Sequence, residues 1–205
     1  MRNSIKKQIP QFELKKKYFS EIEDLSEIVK ILTEDLKRII EISNEKIKEF
    51  KDSPESLFLD EQQTWFRSAN RLVITVIESI CYKMKQIALL ICDSTGKPLT
   101  EEERKNLTER RADGSKYFMK TSDNVKFSFE ILAYAFGFKF RLKYGREWGT
   151  FLKVEKKRNK LTHPKTKMDL KITVTEHNES AETLDWFKQT ISDFFDEHRR
   201  NFSRN

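Results

Sequence analysis

Between positions 62 and 92 the apolar residues recur every three or four places: Trp65, Ala69, Leu72, Val73, Val76, Ile77, Ile80, Met84, Ile87 and Ile91. At about 100° per residue they fall on one broad stripe of one long helix. A stripe that wide needs several neighbours to cover it. The remaining segments must therefore pack around this helix, which makes it the centre of whatever fold forms.

The same periodicity extends through most of the chain. Residues 18–50 carry Ile22, Leu25, Val29, Leu32, Leu36 and Ile39 in alternating steps of three and four, the seam of a helix packed along a partner. Asp52, Ser53 and Pro54 supply an N-cap and an early proline for the helix that follows. Thr100 and Glu103 make a capping box for a short, polar helix running to about Arg111. Residues 124–140 are the most apolar part of the chain, with Phe127, Phe129, Phe136, Phe138 and Phe140 among ten apolar positions on two faces; Thr121 or Ser122 can cap this helix. A helix of residues 146–163 and a last one capped by Asn178 or Ser180 complete the series, and Leu170 to Val174 alternates as a loop or brief strand. Five glycines and four prolines in 205 residues are too few for a turn-rich all-β fold. The expectation is an all-α, antiparallel four- to five-helix bundle over residues 53–205, with an extra long N-terminal helix in residues 1–52 packed on it. The basic start and the tail from residue 201 are expected to be disordered.

No run of eighteen apolar residues occurs, and the first residues lack the apolar stretch of a secretory signal. A soluble, cytoplasmic protein with no membrane association is expected. Cys81 and Cys92 lie eleven apart on one helix, about 16 Å along its axis, too far to pair within it. Three histidines show no metal-ligand spacing, so neither a metal nor another cofactor is expected.

The charge is uneven. Residues 137–171 hold twelve Lys or Arg against three Asp or Glu, a local +9, while the remaining 28 and 30 leave the rest near −2. A basic cluster in an otherwise balanced chain is expected to meet a polyanion. At its centre, Phe151, Val154 and Leu161 share a helical stripe with Arg158, and Asn159 and His163, four apart, share the neighbouring face. Lys153, Lys156, Lys157 and Lys160 point elsewhere. Pro164 disfavours helix at the residue before it, so His163 belongs at the helix C-terminus, within reach of a substrate. An arginine on an apolar stripe needs a partner, since an unpaired buried charge costs several kcal/mol. One reading is thus a structural salt bridge from another helix, with a buried carboxylate beside Arg158 and no cleft at His163.

The sequence Arg158-Asn159, three residues, His163-Pro164, on a helix that follows an aromatic-rich one, resembles the signature of the HEPN superfamily. Many of its members are helical-bundle, metal-independent ribonucleases of toxin, abortive-infection and RNA-guided defence systems. The resemblance covers roughly residues 62–199 and leaves the N-terminal helix outside it. It implies that Arg158, Asn159 and His163 are catalytic, that two motifs meet in a homodimer with a composite active site, and that an antitoxin or nucleotidyltransferase partner can accompany the protein.

The chemistry is sound without the name. A base removes the 2′-OH proton of RNA, the oxygen attacks the adjacent phosphate, and an acid protonates the departing 5′-oxygen; histidine suits both proton tasks and arginine the charge that builds on phosphorus. In this reading Lys153, Lys156, Lys157, Lys160, Lys165 and Lys167 track the RNA backbone. One motif histidine per chain calls for a second copy, with the apolar side of the 127–138 segment or the motif helix as interface. The alternative is a non-catalytic HEPN-like module that binds RNA or protein through the same basic groove.

Overall fold

The computed structural model describes residues 11–49, 55–110 and 113–203, and these form an all-helical bundle. Six α-helices follow one another: α1 (Gln11–Glu49), α2 (Glu55–Thr95), α3 (Glu101–Thr108), α4 (Thr121–Phe136), α5 (Arg146–Thr162) and α6 (Val174–Phe202). As its stripe predicts, α2 is the hub and packs against each of the other five. Ala69, Val73, Val76, Ile77, Ile80, Met84 and Ile87 are buried along it, and Leu25 and Leu36 of α1 close one side. Cys81 and Cys92 are buried and unpaired, and burial pushes the Cys81 thiol up to about 12. Among the described residues no helix is long and apolar enough to cross a membrane.

Several boundaries differ from the sequence expectation. The start of α2 is not among them: Asp52, Ser53 and Pro54 lie outside the described residues, and α2 is described from Glu55, directly after the start signal that they supply. The capping box of Thr100 and Glu103 is present, while α3 ends at Thr108 because Glu109 turns left-handed at φ 53°. Helix α4 stops at Phe136, not Phe140. Gly137 takes φ 84°, which a side chain would resist, and its N–H and the Lys97 ammonium satisfy the last carbonyls.

Phe138 and Phe140 therefore fold back in an extended segment, and both meet Phe194 of α6, at centroid distances of 5.2 and 5.0 Å. Phe127, Phe136, Phe138 and Phe140 are half-buried against the core, so the second apolar face of this segment is largely covered within the chain. Of the two surfaces that the sequence offers as an interface, this face and the motif helix, this one is thus largely occupied within the chain. The α4 cap differs too: neither Thr121 nor Ser122 occupies the cap position, and the buried Glu155 carboxylate accepts the Ser122 N–H at 3.0 Å instead.

Of the segment read as a loop or brief strand, residues 171–173 are a loop, with extended backbone at Lys171 and Thr173, and helical turns begin on either side of it. Lys167–Leu170 is a single 3₁₀ turn, and α6 starts at Val174 with Thr173, not Asn178 or Ser180, as its cap. Thr173 accepts the Glu176 N–H while Glu176 accepts the Thr173 N–H, a reciprocal pair that outweighs the strand propensity of the flanking β-branched residues. At its far end α6 continues to Phe202, past the point where the tail was expected to fray.

Candidate active site

Helix α5 carries the motif, and its first half is fixed by aromatic packing. Trp148 and Phe151 are buried, with Phe151 stacked on Trp186 of α6 at 5.4 Å and Trp148 edge-on to the same ring at 5.6 Å. Gly145 caps the helix, which begins at Arg146 as expected. Its far end rests on a small separate cluster of Phe66, Leu161 and Ile172. There the α5 carbonyls find cations: Arg71 donates to the Leu161 carbonyl at 2.7 Å.

His163 is the C-cap residue, exposed, with its N–H bonded to the Asn159 carbonyl at 3.0 Å. The two other imidazoles are placed quite differently. His177 is buried and stacked on Phe66 at 4.2 Å, and His198 is stacked on Phe136 at 4.1 Å, as its position on the α6 stripe predicts. Burial lowers the pKa of both, which keeps them neutral near pH 7.

Arg158 has the partner that its position demands. Its Nη2 lies 2.9 Å from Oε2 of Glu78 on α2, and Oε1 of Glu78 accepts the Thr121 hydroxyl at 2.7 Å. The pair is not sealed in the core: the side chains are 27% and 35% exposed. Arg158 Nη1 also reaches Asn159 Oδ1, at 3.2 Å. Of the two conditions for a purely structural salt bridge, the carboxylate is present though not buried, while the absence of a cleft at His163 is not met.

Two concavities flank the motif. One of about 670 Å³ is lined by Asn159, His163, Glu155, Lys156, Lys165 and Asp169. The other, about 840 Å³, lies between α2, α3, the connection before α4, and α5, and it contains Glu78, Arg158 and Asn159 in its wall. Asn159 and His163 thus meet in one cleft, and Arg158 and Asn159 in the next. Arg158 and His163 do not share a cavity, because five residues of helix turn them about 140° apart.

The nominated lysines divide into two sets. Lys153 pairs with Glu179 at 2.9 Å, Lys157 with Glu176 at 3.1 Å and Lys160 with Asp169 at 3.8 Å. Lys157, expected to point away from the bundle, is only 12% exposed and donates to the Lys171 carbonyl as well. Burial works to raise the Glu176 pKa, but the Thr173 N–H and then Lys157 hold it below the usual carboxylate value. Lys156, Lys165 and Lys167 are exposed, and no ion pair engages them among the described residues. Of the local +9, three charges are answered by Glu176, Glu179 and Asp193 of α6 and one by Glu78 of α2. Asp169 shapes the turn before α6: the N–H groups of Thr166 and then Lys165 bond its carboxylate and lower its pKa.

Sequence reasoning missed Glu78 and Glu155. Glu78 stands between Ile77 and Ile80 on the central stripe, and a lone carboxylate there was a signal that a cation from another helix would meet it. No group of three or more His, Cys, Asp or Glu side chains is arranged to hold a metal among the described residues. No family model, no curated protein and no solved structure matches the chain.

Proposed function

We propose that this protein is a metal-independent endoribonuclease that cleaves RNA by 2′-OH transphosphorylation, as a toxin or abortive-infection effector of the HEPN kind that its motif resembles. The observation that carries this reading is the contrast among the three imidazoles. His177 is buried and His198 half-buried, each stacked on a phenylalanine, whereas His163 stands exposed at a helix end, in a cleft with Asn159 and the uncommitted Lys156 and Lys165. A packed structural histidine has no need of such a position. An acid or base acting on a large substrate does.

In this mechanism His163 moves a proton at the 2′-oxygen or the 5′-oxygen. Arg158 stabilises the phosphorane charge, with Glu78 holding the guanidinium in place until a phosphate competes for it. Asn159, present in both cavities, spans the space between them. The divergence of Arg158 from His163 around α5 means that one motif does not enclose a phosphate from two sides. Two copies of α5 facing across a two-fold axis supply a second imidazole and a second guanidinium. With the aromatic face of α4 largely covered, the motif helix is the better interface.

Incubation of RNA with the protein in EDTA, beside His163→Ala and Arg158→Ala, tests the proposal. The parent is expected to leave a 2′,3′-cyclic phosphate, and each variant to lose at least about 100-fold in rate. Equal cleavage by all three sinks the mechanism. A monomer by light scattering at the concentration where the parent cleaves removes the composite site. The second reading, a module that binds without cutting, draws on the Arg158–Glu78 pair, which by itself gives the arginine a structural use; RNA binding that survives in both variants with no cleavage by the parent is its outcome.

A further inference from the structure

The larger of the two cavities beside the motif has features that phosphate chemistry does not require. Phe118 and Tyr82, both in its wall, are 80% and 45% exposed, a large apolar area left to water on a surface that is otherwise highly charged. A ring at such a position is either covered by a partner or used as a platform. Deeper in the same wall, Asn124 is 8% exposed and its Oδ1 is buried with no hydrogen-bond donor, and Asn106 Oδ1 is likewise buried and unpartnered. Leaving a buried amide oxygen unmet is unfavourable, so two side-chain amides in one wall have reason to turn toward a ligand that brings N–H groups into the cavity. The volume, about 840 Å³, is within the range of cavities that hold one small organic group or its immediate neighbours. The Arg158 and Asn159 side chains line its edge, which joins it to the cleft of His163.

Flat exposed rings, unmet amide oxygens and an adjoining guanidinium match one chemistry: a heterocyclic base attached to a phosphate. We propose that this cavity receives an unpaired nucleobase of the RNA strand whose phosphate lies at Arg158, stacked on Phe118 or Tyr82 and read by Asn124 and Asn106. The proposal rests on the endoribonuclease reading for the identity of the strand and adds its class: single-stranded RNA, because a base held in a duplex cannot enter a side pocket. Two acceptors without donors favour a base with an exocyclic amine over uracil. The stacking contact is sequence-tolerant, and the amide contacts give the preference.

The test uses a short single-stranded 2′-O-methyl oligoribonucleotide, which cannot be cleaved, carrying one 2-aminopurine whose fluorescence falls on stacking. With the full chain we expect quenching on binding, and a roughly ten-fold or greater loss of affinity in Phe118→Ala. Phe118 is so exposed that this variant should keep its helical circular dichroism. Asn124→Ala is expected to erase the preference for adenine over uracil at the matching position of unmodified strands, and Asn106→Ala serves the same end if Asn124→Ala fails to fold. Binding without quenching, or unchanged affinity in Phe118→Ala, overturns the base pocket even if the parent cleaves RNA in EDTA. Quenching that depends on Phe118 supports it even if no RNA is cut, in which case the nuclease reading alone fails. Free AMP displacing the strand at the strand's own concentration also overturns the proposal, by making the site one for a mononucleotide.

Discussion

Along α5 the first turns are clamped by rings, with Trp148 and Phe151 buried against Trp186, while the last turns are tied by charge. Arg158 is held by Glu78, the Leu161 carbonyl by Arg71, and Lys157 by Glu176 and the Lys171 carbonyl. One helix thus joins two kinds of support. Apolar packing is indifferent to salt and sets where the helix lies; charge-assisted contacts can exchange partners when an anion arrives. The difference teaches that the position of the motif is fixed by the core, and its electrostatics are left adjustable at the solvent end.

Three substitutions can break or sharpen that contrast. Phe151→Ala, which empties a ring site in the clamped half, should lower stability by about 3–5 kcal/mol in urea titration, with little dependence on salt. A smaller loss, or a salt-dependent one, would mean that aromatic packing does not locate the helix. Arg71→Met removes one tie from the other half. About 1 kcal/mol is expected, together with faster hydrogen exchange at the amides of the last α5 turn and no change in the first. Uniform loosening of the whole helix would erase the distinction between the halves.

The smallest effect concerns pH. His177 stacks on Phe66 beside the charged half and has its pKa lowered from 6.5 by burial. The unfolded chain therefore binds the proton more readily than the folded one, and this group's contribution is present above about pH 6.5 and fades as the pH falls below it. His177→Phe should flatten the fall in melting temperature on acidification, without reducing the melting temperature at neutral pH. An unchanged slope would exclude His177 as a source of acid sensitivity.

What the sequence made legible was what local periodicity and local capping decide. The stripe of α2, the Thr100–Glu103 box, the start of α5 after Gly145, and the packing of His198 all depend on residues within a turn or two of one another. The α6 cap was equally local, since Thr173 and Glu176 have capping-box spacing, but alternation of Ile172 and Val174 masked it as a strand. The candidate site was legible as three residues on one helix and no further. Glu78 is eighty positions from Arg158, and the acids that answer Lys153 and Lys157 belong to the following helix. Only the packed bundle brings these together, so charge counted along the chain overstated the basic surface.

The central place of α2 has a consequence for synthesis. Its surface is shared among five partners, four of which come after it in the chain: the short α3, then α4, α5 and α6. While the ribosome is still making the last three, α2 has only α1 and the short α3 to cover it. The bundle therefore closes late: Glu78 and Arg71 of α2 are in place before α5 is made, whereas the Lys157 tie waits until α6 delivers Glu176. The clefts beside Arg158 and His163 are lined by residues no later than Asp169, so their walls are all synthesised before the helix that closes the bundle.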